Sequence, residues 1–480
     1  MNGDGRAAYA MPDAETLARA TLTFCLNDAD AIMYATIRGV GDARSTLRLL
    51  LESRPASSDG GGPARAKLDE AFVNGLVRWG RHADGRSMDV FHRALARWHE
   101  RLDHLPTLDA DSLAEWFTMN GAQWIIGPSN PFWPHQLDDL SIRKDWAAPL
   151  CLWGIGDPAA LVSCPKPVAV VGSRGVNDYG RALARRVGER AASAGHLVVS
   201  GGAMGADAAA HWGALGALVS ARGHEPAGRT VAVFAGGLNR IGPRCNQRLF
   251  ERIVDGSGAL ISELCPDTIP EGRRFLLRNR IIAALASTVV VTQARLRSGA
   301  LNTANWAVEL GREVYAAPGD AGAPYNAGCN RMIHDHQAIL LMSGDETDEI
   351  CHPPHSPVSV TGEIPAADAR RSPPVSSQAT DATGDIASAH DTGHESDDAR
   401  MDDKRRQAVC TAIRRCRRRG IPATVDAIAD ALDDAGLGEL LALLGRMELD
   451  GIIRLDQGTV TFRRTDDGQS RLHHAPTTRP

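Results

Sequence analysis

The spacing of apolar residues changes character three times along this chain. In residues 14–53 apolar positions recur every three or four residues, in "ETLARATLTFCL", "ADAIMYATI" and "ARSTLRLLLE", which predicts short amphipathic helices. The connection "RGVGDA" (38–43) is a Gly-hydrophobic-Gly turn. It either joins two helices tightly or offers backbone N–H groups to a phosphate. "SSDGGGPAR" (57–65) reads as part of a flexible Gly-rich insertion near 57–66, after which helical spacing continues to about residue 118.

From Pro167 to about Leu341 the pattern is different. Short apolar runs, "PVAVVG", "HLVVSG", "TVAVFAG", "GALISE", "STVVVTQ" and "EVYAAPG", alternate with helical stretches at about 180–194, 206–219, 244–254, 275–286 and 300–311. Strands separated by helices imply right-handed crossovers and a mainly parallel sheet covered on both faces. In such sheets ligands bind beyond the carboxyl ends of the strands. Gly172-Ser173-Arg174, Ser200-Gly201-Gly202, Gly236-Gly237 and Ser262-Glu263 all follow strand ends, so one rim is rich in glycine and small hydroxyls.

The third regime begins beyond residue 345. Residues 352–402 are rich in Pro, Ser, Ala, Asp and Thr and poor in large apolar groups, so 346–402 is expected to be a disordered acidic linker. Structure is predicted to resume over 403–466 with a basic helix, "TVDAIADAL" (424–432), "LGELLALLGRMELDG" (437–451) and a two-strand wing "IIRLDQGTVTF" (452–462) turning at Asp456-Gln457-Gly458. Three helices followed by a β-ribbon make a winged-helix pattern. Residues 467–480 read as a mobile tail.

Composition narrows the class. A chain of 480 residues, 43% hydrophobic and 23% charged, has room for two to four domains with ordinary cores. Its sequence holds no apolar run long enough for a membrane span, and its N-terminus lacks a secretory pattern. The nine cysteines are scattered without a C-x-x-C pair, which suits a reducing cytoplasm and predicts neither a zinc site nor a disulfide framework. A net charge of −5 argues against a protein that coats nucleic acid over its whole surface. The charge is uneven, however: residues 378–403 carry eight acids and one arginine, whereas 404–419 carry eight bases and no acid.

The candidate chemistry lies in the middle segment. The turn after the first strand reads G-S-R-G, not the G-x-G-x-x-G of a dinucleotide site, and places Arg174 where a bare backbone approach would be expected. In "SGGAMGADAAAH" (200–211) two glycines precede a helix whose positive end faces the same ligand position. Asp207 is there either as a catalytic acid or as a cap for loop amides, and His211 reads as a packed histidine. Arg278-Asn279-Arg280 precedes an apolar helical run, and Ser298-Gly299 lies near another helix start. The arginines are suited to phosphate by fork geometry and to bases by stacking. No paired carboxylates, His/Cys cluster or nucleophile elbow stands out, so no catalytic residue, metal or cofactor is assigned. The inventory describes an anion-holding rim.

Taken in order, "VAVVGSR…YG", "SGGAMGADAAAH", "AGGL…P…N", "SEL…P", "F…RNRIIAALA", "SGALNTA", "GREVYAAPG" and "GCNRMI" closely resemble the DNA-processing protein A (DprA/Smf) family over about 165–341. The segment 127–158 is similar to that family's lead-in. The resemblance implies an α/β, extended Rossmann-like parallel-sheet domain (119–345). Before it would come a small helical domain of SAM or helix-hairpin-helix type (1–118), and after it a winged helix (403–466). It also implies a homodimer that binds single-stranded DNA and loads RecA recombinase onto it in natural transformation or recombination. Carried over, Gly172, Ser173, Arg174, Ser200, Gly201, Gly202 and Asp207 would line the DNA pocket, with Arg278, Asn279, Arg280, Ser298 and Gly299 around it.

This chain departs from the family at Met204, where an arginine is usual, and at Thr292-Gln293-Ala294, where Val-Glu-Ala is usual. The expected reading helix of the winged domain is net negative, which favours a protein contact or weak DNA contact over duplex reading. The alternative is a nucleotide-processing hydrolase of the lysine-decarboxylase-like Rossmann fold. Such an enzyme calls for a P-G-G-x-G-T-x-x-E run, and the comparable stretch here reads "SGALNTANWAV" (298–308).

Overall fold

The structure is a computed structural model that describes residues 9–26, 29–55, 61–142, 147–220, 227–345 and 350, with a discontinuous set between 408 and 462. The linker 346–402, apart from Ile350, and the tail 467–480 lie outside the described residues. The chain forms two compact units, Met1–Ile364 and Pro365–Pro480.

The first unit opens with six helices: α1 (Ala14–Phe24), α2 (Ala31–Val40), α3 (Ala43–Glu52), α4 (Gly62–Arg78), α5 (Gly85–Leu102) and α6 (Ala110–Thr118). Aspartates set most of their starts: Asp13, Asp30, Asp42, Asp84 and Asp109 each accept a backbone N–H from the first turn. The fourth helix begins within the Gly-rich stretch, with Gly61 as its cap and Pro63 in its first turn. Helices α2 and α4 cross where both are glycine. A Cβ at Gly39 would overlap the Ala71 carbonyl, and one at Gly75 would overlap that of Ala35. The backbones therefore touch without intervening side chains.

The sheet is built from β1 (Trp124–Ile126), β2 (Leu152–Gly156), β3 (Val168–Gly172), β4 (Val198–Gly201), β5 (Thr230–Val233), β6 (Ala259–Ser262), β7 (Thr288–Gln293), β8 (Glu313–Ala316) and β9 (Ile339–Leu340). Between them run α7 (Asp178–Ser193), α8 (Ala206–Ser220), α9 (Gln247–Asp255), α10 (Gly272–Leu285), α11 (Gly299–Glu309) and α12 (Ala327–His334). The order across the sheet is β1-β2-β6-β5-β4-β3-β7-β8-β9. Strands β3 to β9 are mutually parallel, as the alternation of runs predicts. The antiparallel pair β1–β2 extends one edge by pairing with β6. That extension was not legible in the sequence, because β1 has three residues and β2 is interrupted by glycine, too short and irregular for a period of two.

The central strands β3 to β7 are buried on both faces. Ala169, Val171, Val199, Val231, Val289 and Val291 join one core with residues of α10, α11 and α12. Their neighbours Val168, Val170, Val198 and Val290 join another with α7 and α8. The N-terminal helices share a third core with the sheet: Ala20, Leu113 and Phe117 pack with Trp153, Ala232, Leu260 and Phe250. A buried hydrogen bond from Trp153 Nε1 to Phe117 O (3.1 Å) strengthens this seam, and half-buried Tyr9, before α1, donates from Oη to Gly156 O at the end of β2 (2.9 Å).

In the second unit, β10 (Ile453–Asp456) and β11 (Thr459–Phe462) form an antiparallel ribbon whose two-residue connection is where the sequence places the turn. Thr424 bridges to Thr459, so a short stretch before the helical segment borders the ribbon. Leu440, Leu443, Leu444 and Met447, at helical spacing, share a core with Val409, Ile413, Ile428, Ile453 and Val460.

Substituting Gly75→Ala should force α2 and α4 apart and cost about 1–3 kcal/mol, as overpacking does. Gly85→Ala, where a Cβ meets open space, should be neutral or slightly stabilising. Thermal unfolding of the two variants beside wild type checks the contrast, and equal midpoints would contradict the close crossing.

Candidate nucleic-acid interface

The strand order reverses between β3 and β7. From β3 the chain builds outward one way through β4, β5 and β6, then returns and builds the other way through β7, β8 and β9. Adjacent loops that leave in opposite directions open a crevice at the carboxyl ends of the two central strands. Gly172-Ser173-Arg174 and Gln293 lie at that point. Ser173 N donates to Gln293 O (2.8 Å) and Ala206 N donates to Ser173 O (3.2 Å), which locks the first turn against the start of α8. Gln293, buried, accepts from Asn177 N (3.0 Å) and donates through Nε2 to Asn177 Oδ1 (2.7 Å) and Asn326 Oδ1 (3.1 Å). One amide thus ties together the loops after β3, β7 and β8.

Under the glycine loop after β4 lies a buried polar layer. At Gly201 the backbone closely approaches this layer: a Cβ there would overlap the Arg278 guanidinium and crowd Asp207 Oδ2, so both side chains would have to shift. Gly205 turns the chain into α8 with φ +83°. Asp207 is 7% exposed, and its Oδ2 faces Ala203 N at 3.4 Å, the loop-capping arrangement. Burial pushes its carboxyl above the usual range, opposed chiefly by the charge of Arg278. Arg278 is itself buried and donates from Nη1 to Val233 O (3.1 Å); burial lowers its pKa and Asp207 raises it. Ser200 is also buried, donating to Val170 O (2.6 Å) and so joining β4 to β3. Gly201 and Gly202 are buried as well, and the loop's exposed tip is Met204. His211 is packed, as its Ala-rich helix suggests: Nε2 donates to Gly201 O (3.0 Å) and Nδ1 meets Thr230 Oγ1 (2.7 Å).

The exposed surface of the rim has a different character. Arg174 is exposed and lies over the ring of Phe275, 4.7 Å from its centroid. Ser298 caps α11 by accepting from Ala300 N (3.3 Å), and Gly299 is exposed beside it. Asn279 supports this helix start, donating from Nδ2 to Gly299 O and Asn302 Oδ1, both at 3.2 Å. Further bases, Arg244, Arg295 and Arg297, follow β5 and β7. The helices that start beyond these strands turn their positive ends toward the same edge.

One expected contact has to be corrected. Arg280, grouped with the rim bases on sequence, is fully buried and pairs through Nη2 with Glu263 Oε2 at 2.5 Å. Its position on α10 turns it into the core, so it holds the end of β6 and does not reach the rim. Arg278, two residues earlier, is likewise a support beneath the surface. Residues not singled out on sequence also build the site. Phe275 supplies the face under Arg174, and Asn246 donates to Gly202 O (3.1 Å) and Ala203 O (3.0 Å). Asn326 also links the loops, together with Gln293, which the sequence marked only as a departure from the family. Each stands inside or beside a quoted motif, but only the fold shows which of them converge.

The helical turn at 38–43 has an internal occupant. Glu15 accepts from Ala43 N (3.0 and 3.1 Å to its two oxygens) and from Arg44 N (3.1 Å), so a carboxylate of this chain already satisfies the amides that a phosphate would use. Of the two readings of that turn, the tight helix–helix junction is the one these bonds describe.

A profile of the family described as DNA recombination-mediator protein A matches residues 124–352. The DNA processing protein DprA of Streptococcus pneumoniae is 36% identical over 213 residues, which cover 44% of this chain and 71% of that protein. The chain belongs to this family. The putative DNA processing protein DprA of Mycobacterium tuberculosis is 41% identical over 202 residues, 42% of this chain and 49% of that protein. The present member of the family thus spans about half the length of that relative. The X-ray structure of DprA from Streptococcus pneumoniae is similar with a TM-score of 0.50 at 26% identity, over 71% of this chain and 98% of that one. The profile of the recombination-mediator family begins at β1 and therefore takes in the antiparallel edge, together with every residue described above at the crevice.

Burial holds His211 down to about 4 from the usual 6.5, so the folded protein keeps the ring neutral. Between those values acidification protonates the unfolded chain first, and roughly 3 kcal/mol of stability present above pH 6.5 is lost as pH falls through 4. A His211→Asn variant should be less stable at neutral pH and lose less on acidification. Urea unfolding of both proteins from pH 7 to 4 measures the difference, and parallel curves would count against a neutral buried ring.

Proposed function

We propose that this protein binds single-stranded DNA along the crevice at the carboxyl ends of β3 and β7, and holds it without hydrolysis. The observation that carries this reading is the exposed Arg174 guanidinium lying on Phe275 at the switch point. A fixed positive charge beside a flat aromatic face suits a phosphate and an unstacked base together, the pairing that single strands offer and duplexes do not. Gly172, Ser173, Ser298 and Gly299 supply close backbone approach and helix N-termini around it. Ser200, Gly201, Gly202, Asp207, Arg278 and Asn279 support these loops from beneath. Asp207 and His211 are both buried and engaged with the loop, an arrangement that favours a binder over the hydrolase alternative.

The family membership supports a role in recombination, and we propose delivery of the bound strand to RecA recombinase in the cytoplasm, with no cofactor. Among the described residues no helix is long and apolar enough to cross a membrane. The N-terminal helices would form the small helical domain of the three-part architecture, and the ribbon and helical core of the second unit a winged helix. A homodimer fits the free edge of the sheet, where Ile339, Leu340 and Met342 are 52%, 37% and 74% exposed. Met342→Glu combined with Ile339→Glu should shift the mass measured by light scattering from dimer to monomer; an unchanged mass would remove this surface.

The DNA reading is tested by fluorescence anisotropy of labelled oligo-dT and of its duplex, titrated with salt. Wild type should prefer the single strand. Arg174→Ala should weaken binding about ten- to a hundredfold, the loss expected for one charge-assisted contact of about 1.5–3 kcal/mol. Met204→Arg, which adds a charge at the loop's exposed tip, should tighten binding and steepen the salt slope by about 0.7. Equal binding by all three proteins would remove DNA from the crevice.

A further inference from the structure

A second cation–aromatic pair occupies the same rim, on the loops after β7 and β8. Arg295, in the loop after β7, is exposed and lies 5.1 Å from the ring centroid of Tyr325, in the loop after β8. Tyr325 is 43% exposed. Its position is nevertheless built. The next residue, Asn326, is buried, donates to Ala317 O (3.0 Å) and accepts from Gln293, the amide that also grips the loop carrying Arg174. Tyr179, in the first turn of α7 after β3, is 48% exposed and its hydroxyl reaches the loop after β8 by donating to Pro318 O (3.1 Å).

We propose that Arg295 and Tyr325 form a second stacking platform for the same DNA strand, which crosses the switch point from Arg174–Phe275 over Tyr179 to this pair. The proposal rests on the single-strand reading of the crevice and extends it to a named exit path. The loops after β3 and β8 are separated by two strand spacings, about 10 Å. That span matches about three nucleotides at the stacked rise of about 3.4 Å. Aromatic faces accept any base, and an arginine beside each can neutralise a flanking phosphate, so binding along this path is tolerant of sequence. Because Gln293 and Asn326 couple the loops that bear the two platforms, the spacing between them is set before DNA arrives and little ordering is required on binding.

The test is anisotropy with a length series of oligo-dT, from four nucleotides to about twenty, on the full chain. Tyr325→Ala should leave the shortest oligomer unaffected and weaken the long ones about five- to a hundredfold, the usual loss of one base–aromatic stack. Tyr325→Phe should bind as wild type, and Arg295→Ala should reduce the salt slope on long oligomers only. Arg174→Ala should weaken every length. If Arg174→Ala weakens binding while Tyr325→Ala equals wild type at all lengths, the second platform is wrong and the first stands. If neither substitution matters, the single-strand reading itself fails. If Tyr325→Ala changes only the mass of the protein in solution, the pair belongs to a contact between copies, and the proposal is overturned.

Discussion

A right-handed crossover can place its helix on only one side of a parallel sheet when the chain keeps moving in one direction, and on the other side when it reverses. This chain moves outward from β3 to β6 and then restarts from the other side of β3 with β7. The reversal puts α7, α8 and α9 on one face and α10, α11 and α12 on the other, and leaves the ends of β3 and β7 without a helix between them. Everything proposed for the protein is arranged around that gap. The Gly172-Ser173-Arg174 turn is one wall and Gln293 is the other, joined by the bond from Ser173 N to Gln293 O.

Charge is distributed in two layers beneath and upon the rim. The lower layer is expensive: Asp207 and Arg278 are buried, as are Arg280 and Glu263. Buried charges are tolerated because each faces an opposite charge, and removal of a single partner typically costs about 3–5 kcal/mol. The Nε atoms of Arg278 and Arg280 find no hydrogen-bond partner among the described residues, so the layer is held by charge pairing more than by complete hydrogen bonding. Its effect is geometric. The small loop residues from Gly201 to Gly205 rest on a rigid polar floor, with Asn246 fixing the carbonyls of Gly202 and Ala203 from the side. The upper layer, with Arg174 and Arg295, is exposed and lies over aromatic faces. A cation so held keeps its charge available to a ligand.

The net charge of −5 is compatible with this local arrangement, since DNA affinity follows the potential over one edge and not the total. Met204 is an uncharged position on the rim. It stands exposed at the tip of the loop after β4, where the family resemblance leads one to expect an arginine. The loop that carries Met204 packs against the Arg174 turn, while Arg295 and Tyr325 stand beyond β7 and β8, so the basic positions of the rim run from β3 toward β8.

Much of the α/β segment could be read directly from the chain. The six apolar runs from Pro167 to Gly319 are short and mostly rich in valine, which is what strands buried on both faces require; the structure places a parallel strand in each. The helices between them begin and end within a few residues of the expected positions, because their periodicity and caps are local properties. What the sequence could not determine was direction of side chains and long-range pairing. Arg278 and Arg280 look identical in "RNR", yet both face inward, Arg280 onto Glu263, because the rotation of α10 is decided by packing on the sheet. The strands β1 and β2 exist only because β6 offers them an edge. Phe275 meets Arg174 across the reversal of strand order, and Tyr325 meets Arg295 from the loop after the neighbouring strand β8; no spacing along the chain encodes either contact. The sequence by itself determined the elements and their alternation through local periodicity; the tertiary structure decided which charges reach solvent, since burial is a property of neighbours brought from distant parts of the chain.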